Sequence, residues 1–372
     1  MFLSELSVVN FKNIADAKLK FDPGFNCLTG LNGMGKTNCL DAIFMACVGK
    51  SHFNLTDQQL IKQGFEFCRI EADFNHDGTK NSVVIKLPSV GKKTISLDSK
   101  PYRKIADHLG RFPIVMIAPN DVEIVTGSGE VRRKFLDTTL CQIDTQYLDN
   151  LVAYNKILKQ RNAYLKMIST SANADFNLLE AYDAQLSGHG HIIHEKRTQY
   201  ISELCELFLL KYSAITSGSE KVHISYNSQL TDKPMLTQLQ ESRRKDQILE
   251  RTSCGIHKDD LMIHLEDREA RKFASQGQSK SLLFALKFAE YQLISNKSAK
   301  LPILLLDDIF DKLDDIRVLN LMSVLKNGIF GQVFITDTSL PRLENILKEV
   351  FEKYFSFNVE NGEIQPINHE KT

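Results

Sequence analysis

The chain has 372 residues, 42% hydrophobic and 25% charged, the balance of an ordinary globular protein with a sizeable core. Its 46 Lys and Arg are matched by 46 Asp and Glu, which excludes a global positive field and leaves any polyanion to a local basic surface. Seven cysteines without a Cys-x-x-Cys pair read as reduced thiols of a cytoplasmic protein, and no apolar run reaches membrane-spanning length.

In chain order, "LSELSVVNF" and "ADAKLKFDPGFNCLT" alternate as strands and lead into a glycine-rich loop, after which "KTNCLDAIFMACVG" reads as a helix. Alternation continues through residues 67–100, broken by "NHDG", "PSVG" and "DSKP" turns, and "FPIVMIAP" has the composition of a buried strand. From about Glu130 the apolar period becomes helical. It is interrupted at "STSANAD" and resumes to about Tyr212. A strand at "KVHISYN", a helix within 232–252 and a strand at "LMIHLED" follow. The helix "KSLLFALKFAEYQLI", the strand "LPILLLDD", a helix at 315–327, the strand "GQVFITD", a closing helix and a final strand complete the pattern. The expected division is 1–125 and 251–372 as two parts of an α/β head, with a mostly helical arm at 126–250.

Gly30, Leu31, Asn32, Gly33, Met34, Gly35, Lys36 and Thr37 match G-x-x-x-x-G-K-[ST] between a strand and a helix, the context this loop requires. The glycines let successive N–H groups turn around a phosphate, Lys36 reaches the terminal phosphates, and the Thr37 hydroxyl suits Mg²⁺. The apolar strand "LPILLL" delivers Asp307 and Asp308 to its carboxyl end, where ligands of open α/β sheets bind. Asp307 is the candidate Mg²⁺ carboxylate and Asp308 the candidate catalytic group for a water. "SQGQ", with Ser275, Gly277 and Gln278, reads by itself as a serine-capped helix start.

These motifs have a common pattern. A loop reading G-x-N-G-x-G-K-T-N, an S-x-G-Q helix start, "LLLDD" and a following "DKLDD" resemble the ABC-type ATPases of the SMC-like branch. With "LSVVNFKNI", "GSGEVRRKFLD", "ILKQRNAYLK" and "GIHKDDL", the likeness to the RecF family of bacterial recombination mediators runs over nearly the whole chain. The resemblance implies an α/β P-loop ATPase head with an inserted or appended helical arm and no long coiled coil. It adds Asn38 to the ATP-binding stretch and assigns Ser275, Gly277 and Gln278 to the γ-phosphate held by a second copy, giving an ATP-dependent homodimer. It also implies weak DNA-stimulated ATP hydrolysis and binding to single- and double-stranded DNA and gap junctions. RecO and RecR are the implied partners, in helping to load RecA during repair. Two departures from the wider ATPase pattern stand out. Asp308 replaces the usual glutamate, and "ITDTS" lacks the usual histidine, leaving Thr336, Asp337 and Thr338 in its neighbourhood.

Other features are weaker. His189, His191 and His194 crowd together, but no cysteine or carboxylate set completes a zinc site, so packing or solvated histidines are expected. Basic residues recur at Arg132, Arg133, Lys134, Lys156 and Arg243 to Lys245. Lys159, Arg161 and Lys166 are the candidate DNA contacts. "GIHKDDL" receives no role. The alternative reading, an ATPase subunit of a transporter or a chromosome-organising machine, needs a glutamate base and histidine switch or a long heptad region, and the chain has neither.

Overall fold

The computed structural model describes residues 1–169, 176–216, 218, 220–310, 315–328, 330–338 and 354–367. Most of the "DKLDD" segment and the expected closing helix lie outside the described residues. Two compact units emerge, one of residues 1–122, 211–219 and 280–372, the other of 123–210 and 220–279.

The strands in order are β1 (Phe2–Phe11), β2 (Ile14–Lys20), β3 (Phe25–Thr29), β4 (Phe67–His76), β5 (Thr79–Pro88), β6 (Thr94–Leu97), β7 (Lys100–Pro101), β8 (Ile114–Ile117), β9 (Val222–Asn227), β10 (Asp260–Leu265), β11 (Arg268–Glu269), β12 (Ile303–Leu306), β13 (Val333–Asp337), β14 (Phe355–Glu360) and β15 (Glu363–Ile367). In the first unit an antiparallel sheet runs β2-β1-β4-β5-β6-β7, and a second sheet runs β15-β14-β3-β13-β12-β8. In the second sheet the strands from β14 to β8 are parallel, with β15 as an antiparallel edge.

The two sheets differ as their sequences require. β4 buries Cys68, Ile70, Ala72 and Phe74 on alternate positions and turns Arg69, Glu71 and Asp73 away from the core. β8 ("IVMI") and β12 ("ILLL") are buried at every position, as parallel strands covered on both faces must be. The helix Lys36–Val48 is buried along nearly its whole length. It shares one apolar cluster with Leu6, Ile70 and Ile85 of the first sheet and Ile114, Leu305 and Phe334 of the second.

The second unit holds the helices Gly129–Ile143, Thr145–Ser169, most of Phe176–Thr216 and Met235–Leu249, with the sheet β11-β10-β9. Among its buried apolar side chains, such as Leu140, Leu165, Leu186 and Leu239, lies a buried ionic network. Arg161 is fully buried and donates to Asp183 at 2.7 Å, Asp246 at 2.8 Å and Thr252 at 2.9 Å. Arg197, equally enclosed, donates to Asp137 at 2.8 Å, Asp259 at 3.1 Å and the Ile256 carbonyl at 2.8 Å. Arg132 grips Asp260 with two bonds of 2.7 and 2.8 Å. A buried cation must be paired, and these three are held by carboxylates. Arg161 and Arg132 are therefore structural, which corrects the expectation of Arg161 as a DNA contact.

"GIHKDDL" thereby acquires a role. Asp259 takes Arg197 and the Tyr226 hydroxyl, Asp260 takes Arg132, and His257 shares a 2.8 Å hydrogen bond with Tyr154. Gly255, at φ +116°, has no room for a Cβ, which would lie 2.6 Å from Met235 and 2.7 Å from the Tyr154 hydroxyl. These ties, and the β10–β9 pairing from Asp260 to Leu265, put residues 251–279 with the helical unit and not with the head allotted to 251–372. The helix Phe176–Thr216 also runs unbroken through Gly188 and Gly190. His189 meets Asn150, His191 meets Glu195 and His194 stacks on Tyr226, and no metal cluster forms among the described residues.

Candidate nucleotide-binding site

The carboxyl ends of β3, β12 and β13 lie side by side in the parallel sheet, with Thr29 opposite Asp337 and Leu306 opposite Ile335. The glycine-rich loop leaves β3 there and opens the helix Lys36–Val48. Two of its glycines are sterically required. Gly30 has φ +150°, and a Cβ would lie 2.2 Å from the Val359 carbonyl oxygen. Gly35, the helix N-cap at φ +118°, would press a Cβ to 2.8 Å from Asn13 Nδ2. Gly35 supplies no side-chain cap to this helix, and an uncapped helix N-terminus is suited to an anion.

Lys36 curls over the loop and donates to the carbonyls of Gly30 at 2.6 Å and Leu31 at 3.0 Å. Burial lowers its pKa, and Asp308, then Asp307 and Asp337, oppose that shift. The ammonium is thus poised among three carboxylates, a charge balance that a bound polyphosphate would alter.

Thr37 Oγ1 donates to both Asp307 oxygens, at 3.0 and 2.9 Å, and Thr336 Oγ1 donates to Oδ1 at 2.7 Å. Asp307 is buried, and desolvation raises its pKa. A hydroxyl and a carboxylate converging this closely are hard oxygen donors suited to Mg²⁺, so the residues fit the ion. Asp308 takes φ +47°, and its N–H donates to Thr336 Oγ1 at 2.9 Å. That hydroxyl therefore ties both aspartates to β13.

Asn13 was not legible as a site residue. Its Nδ2 donates to the Met34 carbonyl at 3.0 Å, its Oδ1 accepts from Asn38 Nδ2 at 2.7 Å, and its own carbonyl accepts from Lys62 at 2.8 Å. Gly362 also donates to the Met34 carbonyl, at 2.8 Å. The loop is braced from the β1–β2 turn and the β14–β15 turn, both remote in sequence. The structure thus brings Gly30 to Asn38 together with Asp307, Asp308, Thr336 and Asp337.

The remaining candidates lie elsewhere. Ser275 is exposed at the start of the helix Gln276–Lys297. It forms a reciprocal cap, its N–H donating to Gln278 Oε1 at 2.8 Å and its Oγ accepting from the Gln278 N–H at 3.2 Å. Gln278 also donates to Glu220 at 2.8 Å. On the helix Thr145–Ser169, Lys156, Lys159 and Lys166 are exposed at spacings that share one face.

The family RecF/RecN/SMC N terminal domain matches residues 2–361. The DNA replication and repair protein RecF of Flavobacterium johnsoniae is 42% identical over 96% of this chain and 100% of its own. That of Parabacteroides distasonis is 39% identical over 99% and 100%. Among solved structures, the recombination mediator protein RecF-ATP of the RecFOR pathway superimposes with a TM-score of 0.88 at 28% identity, covering 99% of this chain and 98% of that one. The Smc head domain of Pyrococcus furiosus, at 15% identity and a TM-score of 0.58 over 98% and 96% of the two chains, shares the fold. A phosphate loop joined to the Asp307 strand through Thr37 is thus set in an SMC-type head, and the chain belongs to the RecF family of DNA replication and repair proteins.

Proposed function

We propose that this chain is an ATP-dependent DNA-binding protein of recombinational repair and replication maintenance. It acts in the cytoplasm, dimerises on DNA when ATP is bound, and works with RecO and RecR to load RecA at single-strand gaps. The observation that carries this reading is the junction of Thr37 with Asp307 beside the buried Lys36, a site organised for a nucleoside triphosphate with its metal.

In this reading the loop amides and Lys36 bind the β- and γ-phosphates, and Thr37 and Asp307 hold Mg²⁺. The ion, when bound, neutralises phosphate charge. Asp308 orients a water and holds its proton, and an aspartate, a methylene shorter than glutamate, suits slow turnover. Ser275, Gly277 and Gln278 open a 22-residue helix whose N-terminal amides cap the γ-phosphate of a second copy. ATP then joins two heads. Lys159 and Lys166, exposed on the arm, meet the phosphate backbone of single- or double-stranded DNA.

The test is DNA retention by the purified protein with and without ATP and Mg²⁺, beside Lys36→Ala. Nucleotide-dependent retention and dimerisation, both lost in Lys36→Ala, are expected. Equal retention by the variant would sink the reading.

A further inference from the structure

One end of the antiparallel sheet differs from the rest of its surface. Over most of the outer face charge is cancelled locally, by Lys18 with Glu5 at 2.9 Å, Arg69 with Glu71 at 2.6 Å and Lys80 with Asp73 at 2.9 Å. At the end where β4 begins and β5 finishes, three large apolar side chains face solvent instead. Phe65 is 47%, Phe67 50% and Val90 89% exposed. They belong together, because Phe67 pairs with Pro88 and the Ser89 N–H donates to the Glu66 carbonyl at 2.7 Å.

The same end gathers unpaired cations. Lys86 of β5 lies opposite Thr94 of β6, so Lys92 in the connecting turn projects beyond the strand ends beside Val90. The edge strand β7 runs back toward this end, with Leu97 opposite Lys100 and the Tyr102 N–H donating to the Ile95 carbonyl at 2.9 Å. Arg103 and Lys104 follow directly. Lys92, Arg103 and Lys104 are exposed, and none makes an ion pair among the described residues. The nearby carboxylates are Asp57, already bound to Lys93 at 2.9 Å, and two exposed ones, Glu66 and Asp107, the latter in the turn after Lys104, with its N–H donating to the Lys104 carbonyl at 3.0 Å. Four strand positions at about 4.8 Å spacing make the rim about 14 Å across.

Exposed aromatic rings cost free energy in water, and a cluster rimmed by cations marks a binding surface. Phosphate attraction alone would need no rings, and an apolar protein partner would not need three unpaired cations. Rings that take unstacked bases beside cations that take the backbone are the chemistry of single-strand recognition. We infer that Phe65 and Phe67, with Lys92, Arg103 and Lys104, form a stacking platform for single-stranded DNA on the sheet end, in addition to the phosphate contacts proposed for the arm. The inference rests on the DNA-binding reading above. The platform is also close in sequence to the nucleotide site, since Lys62, three residues before Phe65, binds the Asn13 carbonyl that braces the loop.

The experiment measures anisotropy of a labelled oligothymidylate and of a labelled duplex, with ATP and Mg²⁺, across a salt series. Phe65→Ala with Phe67→Ala should weaken single-strand binding at least about fivefold while leaving its salt slope and duplex affinity unchanged. Phe65→Tyr with Phe67→Tyr keeps the rings and should restore it. Arg103→Glu with Lys104→Glu should lower the single-strand salt slope by about 0.7 for each lost contact. Thermal melting of each variant confirms the fold, and the half-exposed positions make large losses of stability unexpected. Single-strand affinity indifferent to ring removal, or an equal loss on the duplex, would overturn the platform. Wild-type protein that holds no DNA with ATP would overturn the proposed function as well.

Discussion

Replacing Arg161 with alanine separates a structural arginine from a DNA contact. Its guanidinium is fully buried between Asp183 and Asp246, themselves fully buried, at 2.7 and 2.8 Å. Truncation leaves Asp183 with Arg243 at 3.2 Å and leaves Asp246 with neutral donors alone, the Ser253 N–H at 2.9 Å and Oγ at 2.6 Å and the Ser242 Oγ at 3.3 Å. Stranding a buried carboxylate in this way costs about 3–5 kcal/mol. For a unit of about 150 residues, that corresponds to a fall in Tm of about 6–20 °C. The assay pairs thermal melting with DNA anisotropy below the transition. Arg161→Ala should melt early yet bind DNA normally while folded. Charge reversal at the exposed Lys159 and Lys166 should do the opposite, changing stability by no more than about 0.5 kcal/mol per site and lowering the duplex salt slope by about 0.9 per contact. Arg161→Ala that melts like wild type but binds DNA weakly would refute the buried-pair argument.

Gly30→Ala should cost more than about 1 kcal/mol in urea unfolding and weaken ATP binding, because φ +150° and the Val359 carbonyl at 2.2 Å leave no place for a Cβ; unchanged stability would contradict the loop geometry. Asp308→Asn should retain Mg²⁺-dependent ATP binding with slowed hydrolysis, while Asp307→Asn should lose the Mg²⁺ dependence itself, as titration calorimetry would separate. Burial pulls the pKa of His257 from its ordinary 6.5 down to about 4, so on acidification the unfolded chain takes up the proton first. The stability of the neutral histidine is complete above pH 6.5 and is lost between about pH 6.5 and 4, to a total of about 3 kcal/mol. His257→Gln should flatten that part of the stability profile. Ser275→Ala should cost about 1 kcal/mol as a lost cap, whereas Ser275→Arg should abolish ATP-dependent dimerisation in sedimentation while sparing ATP binding; a normal dimer would leave Ser275 as a cap alone.

Local signals sufficed where a residue's role depends on its chain neighbours. The glycine pattern before Lys36, the apolar run before Asp307 and the Ser275 helix start are each encoded within a few residues, because turns, buried strands and caps are short-range structures. The roles set by distant partners were a different matter. Arg161 and Lys159 are two residues apart on one helix, with the same charge and the same apparent promise as DNA contacts. Only the packing of residues 183 and 246 against that helix turns one inward into a paired core and leaves the other in water. Asn13 braces the phosphate loop, and "GIHKDDL" receives arginines from positions 132 and 197, through contacts spanning many residues of chain. A buried charge is stable only beside its counter-charge, and which counter-charge arrives is decided by the tertiary fold.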